Sequence, residues 1–250
     1  MKKIFALILC IIMCVTAAIS TNALHLVIDD TADHSTISTT VIQDWYKDAY
    51  EFVMDEFLMS ESLAGYKVLD DGYEIIYEDF YGDRSITRAE VSAILSRYNG
   101  SYDTIYFELY KSASCPAFVD IPDGVWYTPA ADWAYENGII NGVGGAYFAP
   151  DRTITREEFA AMLYRYTEYL EVDTTARVDY SEFADSESVS DWAHDAMSWA
   201  VAEGLINGKP GKFLAPQDTI TRAEVATVIY RFNNEVKAHR DIWDGKQHWY

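Results

Sequence analysis

Three arginines stand where a helix has least use for them. The string Ile-Thr-Arg-Ala-Glu occurs at 86–90 and 220–224, and Ile-Thr-Arg-Glu-Glu at 154–158. Each reads as a helix start: Thr87, Thr155 and Thr221 at the N-cap, with Glu90, Glu158 and Glu224 three residues on, form capping boxes. The pairs Ile86/Val91, Ile154/Phe159 and Ile220/Val225 add hydrophobic staples. Helix initiation therefore accounts for threonine, glutamate and isoleucine, but not for Arg88, Arg156 and Arg222. These fall at the first helical position, where the macrodipole disfavours a cation by about 0.3–1 kcal/mol. Beside free helical amides, an arginine makes a compact receptor for a carboxylate or phosphate. A structural bridge to a neighbouring acid accounts for it equally well, and residue types alone leave both open.

The elements that must carry these arginines repeat with a period of about 66 residues. Phe148-Ala149-Pro150 and Leu214-Ala215-Pro216 each end four residues before the motif isoleucine. Gly138-Ile139-Ile140-Asn141-Gly142 matches Gly204-Leu205-Ile206-Asn207-Gly208, Trp133 matches Trp199, and Trp126 matches Trp192. Phe118-Val119-Asp120 matches Phe183-Ala184-Asp185. An earlier unit keeps Trp45, Phe52 and the motif, but it has no Asn-Gly turn and no proline before the motif. Its extra residues fall in Ser60–Asp83, where Tyr73, Tyr77 and Tyr81 fit a strand or a helix equally well.

Each unit reads as helix, loop, helix. In the second unit Thr128-Pro129 starts a helix, Gly138 suits a left-handed C-cap, and Asn141-Gly142 marks a turn. The second helices carry apolar stripes at i, i+3, i+4 and i+7: Val91, Ile94, Leu95, Tyr98; Phe159, Met162, Leu163, Tyr166; and Val225, Val228, Ile229, Phe232. Three such short helices are marginal alone, so they are expected to pack as a central three-helix bundle in an all-α fold. Trp133 and Trp199 sit beside alanines on the face that would pack inward. For Trp126 and Trp192, stacking on a ligand and simple packing are equally reasonable.

Composition sets limits. The 250 residues carry 40 acids against 19 bases, a formal charge of -21, which opposes nucleic-acid binding and adhesion to anionic lipid. Residues 1–23 have the basic start, apolar run and small residues of a secretory signal, with Thr21-Asn22-Ala23 before the cut. Their removal takes Cys10 and Cys14 away and leaves Cys115 as a free thiol.

The tryptophans, the Gly-Ile-Ile-Asn-Gly turn, the Phe-x-Pro stretch and the arginine motif together resemble S-layer homology (SLH) repeats. On that resemblance, repeats span 45–99 (divergent, with an insertion at 60–83), 118–169 and 183–234. They are flanked by a segment at 24–44 and an aromatic tail at 235–250. The resemblance implies a pseudo-threefold assembly with one helix of each repeat in the central bundle. It also implies non-covalent attachment of an exported protein to a bacterial cell wall through secondary cell-wall polysaccharide, commonly a sugar with a pyruvate ketal, held in grooves between repeats. Carried over position by position, the role of contacting the ketal carboxylate falls on Arg88, Arg156 and Arg222. Groove-lining roles fall on Asp120, Asp185, Trp126, Trp192, Gly142 and Gly208. The groove built from the second and third units is the expected working one, because the first unit lacks the turn.

No metal or cofactor is expected, since His25, His34, His194, His239 and His248 form no ligand-spaced cluster and no phosphate-binding loop appears. A hydrolase would need a catalytic domain, and the segments left beside the repeats are too short for one. The rival reading is a surface adaptor that takes a protein partner, or self-assembles, through Asn233–Tyr250 or the insertion at 60–83.

Overall fold

The capping boxes are formed in all three motifs. Thr87, Thr155 and Thr221 accept from the amides of Glu90, Glu158 and Glu224, and each glutamate side chain accepts from the threonine's own amide. In this computed structural model the described residues are 44–55, 58–59, 63–69, 72–77, 80–100 and 113–237, all inside the compact unit 40–250. The signal-like segment 1–23, residues 24–43 and the tail beyond 237 lie outside them, as do 60–62, 70–71 and 78–79 of the insertion.

The motifs open α2 (Arg88–Tyr98), α4 (Arg156–Tyr169) and α6 (Arg222–Arg231). They are preceded by α1 (Lys47–Asp55), α3 (Thr128–Glu136) and α5 (His194–Ala202). Glycines 138 and 204 follow α3 and α5 with φ of 70° and 67°, the left-handed closure read from the sequence. A π-helical stretch, Phe232–Lys237, extends α6.

The packing is cyclic. Helix α3 lies on α2, α5 on α4, and α1 on α6, so the first helix of each unit packs against the motif helix of the unit before it. The backbone closes the same circle: Ile154 N donates to Ile86 O (3.0 Å), Ile220 N to Ile154 O (3.1 Å), and Ile86 N to Ile220 O (3.1 Å). All three isoleucines are fully buried. At the far ends of the motif helices Tyr98, Tyr166 and Phe232 form a triangle with centroid separations of 6.2, 6.1 and 6.0 Å. These are the i+7 residues of the three apolar stripes, and they mark the axis of the expected bundle.

The all-α architecture holds for this repeat-built body. Its exception is an antiparallel hairpin, β1 (Leu63–Leu69) and β2 (Gly72–Tyr77), in the first unit. Tyr73 and Tyr77 lie in β2, while Tyr81 lies beyond it. A four-residue spacing brings side chains to one face of a strand and nearly so in a helix, which is why the tyrosines did not discriminate. The hairpin follows a turn built like the others. Leu58 N and Met59 N both donate to Val53 O, as Ile139 and Ile140 do to Ala134 O, and Leu205 and Ile206 to Ala200 O.

The tryptophans of the first helices pack inward as read: Trp199 is fully buried against Tyr164, and Trp133 is half-buried edge-on to Tyr166 and Tyr169. Cys115 is a buried free thiol; burial, reinforced by Asp132, pushes its pKa up to about 11.

Candidate anion-binding groove

The three motif arginines occupy equivalent, buried places at the seams between units, with exposures of 5, 5 and 8%. Each Nε donates to a backbone carbonyl of the following unit: Arg88 to Phe148 (2.8 Å), Arg156 to Leu214 (2.9 Å), and Arg222 to Phe80 (3.0 Å). The guanidinium carbons of Arg88 and Arg222 also lie 5.0 and 4.8 Å from the ring centroids of Phe148 and Phe80. Each Nη1 faces the motif glutamate of the following unit: Glu158 at 3.8 Å, Glu224 at 2.9 Å and Glu90 at 3.7 Å.

The helix amides expected to be free are used. The amides of Arg88, Arg156 and Arg222 donate to the carbonyls of Arg152, Asp218 and Arg84, and the next amides to Pro150, Pro216 and Gly82. With the third amide on the threonine, the first turn is closed by protein, and an anion receptor made from helical amides does not exist here. What remains for a ligand is the outer edge of the guanidinium.

Asp120 and Asp185 are likewise committed. Asp120 accepts from Phe148 N (2.8 Å) and Ala149 N (2.7 Å), and Asp185 from Leu214 N (2.8 Å) and Ala215 N (2.7 Å). They hold the loops whose carbonyls receive Arg88 and Arg156, so they position the arginines. Gly142 and Gly208 have φ of 73° and 74°, and a Cβ on either would come within 2.7 Å of Phe118 or 2.5 Å of Phe183. Trp126 and Trp192 are 47 and 57% exposed.

One groove gathers several of these groups. It encloses about 360 Å³ and is lined by Arg88 of the first unit, Gly142, Arg152, Glu158 and Arg165 of the second, and Trp192 of the third. Arg156, Arg222, Asp120, Asp185, Trp126 and Gly208 do not line it. The first unit, expected to contribute an altered groove, thus supplies the arginine of this one. Arg152 donates to Glu158 at 2.6 Å, and Arg165 to Ile139 O at 3.4 Å. Burial lowers the Arg88 pKa and Glu158 opposes that, while the charges of Arg152 and Arg165 lower it further. Burial raises the Glu158 carboxyl, but Arg152, the Thr155 amide and Arg88 together hold it below its usual range.

Arg152 and Arg165 were not singled out in the sequence, although a signal exists. Arg97, Arg165 and Arg231 each stand at the same place along the motif helices, and each donates to a turn carbonyl: Leu58, Ile139 and Leu205. Among the described residues, no three His, Cys, Asp or Glu side chains form a metal cluster, and no helix is long and apolar enough to cross a membrane.

The S-layer homology domain model matches residues 117–160 and 182–226. An amylopullulanase of Thermoanaerobacterium thermosulfurigenes is 30% identical over 215 residues, 86% of this chain and 10% of that protein. A cellulosome-anchoring protein of Acetivibrio thermocellus is 31% identical over 152 residues, 61% of this chain and 33% of that protein. A surface-layer 125 kDa protein of Lysinibacillus sphaericus is 38% identical over 124 residues, 48% of this chain and 10% of that protein. The chain thus spans a tenth to a third of the length of these relatives.

Proposed function

Since the chain belongs to the S-layer homology family, we propose that it is a non-catalytic module that holds a protein on a bacterial cell surface. It does so by binding secondary cell-wall polysaccharide through a groove between units, with a sugar carboxylate, such as a pyruvate ketal, as the recognised group. On this reading 45–99 is a divergent first repeat that joins the two at 118–169 and 183–234. Residues 1–23 direct export and are removed.

The observation that carries the reading is the Arg88 groove. Arg88 is 5% exposed and, among the described residues, its two terminal nitrogens make no hydrogen bond. Arg152 and Arg165 bring two further cations, and the exposed indole of Trp192 offers a face on which a sugar ring can stack. In a chain of charge -21, attraction to an acidic polymer has to be local. The relatives' names agree in kind: one is a cellulosome-anchoring protein and another a surface-layer protein.

The test is sedimentation with purified cell walls. The protein lacking residues 1–23 should pellet with walls that keep their secondary polymer and stay in solution with walls stripped of it. Trp192→Ala, at an exposed position, should weaken retention while leaving the thermal unfolding midpoint in place. Equal retention on intact and stripped walls would refute the reading.

A further inference from the structure

One of the differences between the three seams lies two residues before the motif isoleucine, where Arg84, Arg152 and Asp218 are equivalent. In the Arg88 groove, Arg152 Nη2 takes Glu158 Oε1 at 2.6 Å, and Glu158 Oε2 receives the Thr155 amide at 3.1 Å. Each carboxylate oxygen thus already has a closer donor, and Arg88 Nη1 stands 3.8 Å from Oε1, an ion pair outside hydrogen-bond range. At the Arg156 seam the equivalent residue is an acid. Asp218 cannot draw Glu224 away and pairs instead with Lys209 at 3.1 Å. Glu224 then closes on Arg156 Nη1 at 2.9 Å. The first groove holds three cations, Arg88, Arg152 and Arg165, over the single carboxylate of Glu158. At the second seam Arg156, Lys209 and Arg231 stand with the two carboxylates of Glu224 and Asp218, and the motif arginine is one of the two cations consumed.

We infer that Arg152 is the residue that leaves Arg88 available to an anionic sugar, and that Asp218 shuts the Arg156 seam by surrendering Arg156 to Glu224. The inference rests on the wall-binding reading and deepens it, by naming which groove is open and what selects it. It reverses the sequence expectation, which favoured the groove of the second and third units. Arg152 is a positioning residue as well as a lining one: it acts on the ligand's partner through Glu158. At the third seam Arg84 meets Glu90 at 2.5 Å and Arg222 stands 3.7 Å from the same carboxylate.

Two substitutions in the full chain test this, with purified wall sacculi that retain their secondary polymer as the probe. Arg152→Asp should return Glu158 to Arg88 and weaken retention about tenfold or more. The Arg152 side chain is 42% exposed, so the fold tolerates the change, and thermal unfolding checks this. Asp218→Arg should free Arg156 and raise the amount bound per milligram of wall; a gain of this kind does not arise from misfolding. Loss in the first and gain in the second support the inference. If the parent protein binds walls but either variant binds as the parent does, the inference is overturned and the anchoring reading stands. If the parent protein does not bind, both fall.

Discussion

The amide of Ile154 donates to the carbonyl of Ile86 across 3.0 Å, and Ile220 completes the triangle between them. Three residues that precede helix starts thereby fix the three starts to one another. Every motif arginine is then delivered to the same place, over the loop of the next unit, with Nε on a carbonyl. All three arginines are structural on that edge, and Arg88 also lines a groove, so at Arg88 the two readings of the motif are two faces of one guanidinium.

Truncating a motif arginine should therefore cost stability wherever it stands. Arg156→Ala takes the arginine donor from the Leu214 carbonyl and from Glu224 Oε1, leaving Glu224 only the Thr221 amide on Oε2. The expected loss is about 2–4 kcal/mol in urea unfolding, with the slope unchanged. Arg156→Lys keeps the charge but has no Nε–H, and about half of that loss should remain. A variant as stable as the parent protein would show that the carbonyl contact contributes nothing.

The turn glycines separate two kinds of backbone demand. Gly138 and Gly142 both have positive φ, but a Cβ at Gly138 meets open space, whereas at Gly142 it lands 2.6 Å from Tyr147 O and 2.7 Å from Phe118. Gly138→Ala should cost about 1–2 kcal/mol, the left-handed penalty alone. Gly142→Ala should cost more, about 2–4 kcal/mol, because Phe118 must also move. Paired urea titrations check the order. Equal losses would mean that Phe118 yields freely.

Much of this was legible because the motif is local. Capping box, staple and apolar stripe all lie within thirteen residues, and all three helices form as their patterns dictate. What was not legible is what one unit does to another. The partner of each arginine sits in the next unit, and nothing in the motif says that its amides meet the carbonyls of Arg152, Asp218 and Arg84. The cyclic offset, α3 on α2 and α1 on α6, likewise hides which unit completes which groove. For that reason the motif does not reveal that a groove lined mostly by the second unit takes its arginine from the first. Arg152 and Asp218 read as ordinary surface charges until the seam brings each beside a glutamate.

Acid should loosen the seams. Glu90 and Glu158 have carboxyls held below their ordinary value of 4.5; burial opposes this, but the arginine and amide contacts outweigh it. A carboxyl with a depressed folded pKa binds fewer protons folded than unfolded near that value. Its stabilisation is thus complete above about pH 4.5 and is lost as the pH falls through the lower folded value. Urea midpoints taken at about pH 7 and about pH 3.5 should fall steeply for the parent protein. The fall should be shallower for Glu158→Gln, which has lost one titrating group. Identical falls would remove Glu158 from the linkage.

A last prediction concerns a carboxylate that only the second unit has. Glu157 stands where the other motifs carry Ala89 and Ala223, and it is 2% exposed. It accepts from Ser190 N (2.9 Å), Ser190 Oγ (2.7 Å) and Gln217 Nε2 (2.8 Å). Three donors satisfy the buried charge, and they tie the start of α4 to the segment that leads into Trp192. Helix α4 does not need this residue, since α2 and α6 begin with alanine at the same place. Glu157→Ala should therefore leave the helix intact but strand the Ser190 amide, costing about 1–3 kcal/mol in urea unfolding. It should also weaken wall retention, because Trp192 loses the anchor two residues before it. Glu157→Gln, which keeps one acceptor oxygen, should recover part of both. If Glu157→Ala loses stability while wall retention is unchanged, Glu157 braces the seam alone and Trp192 holds its place in the groove without it.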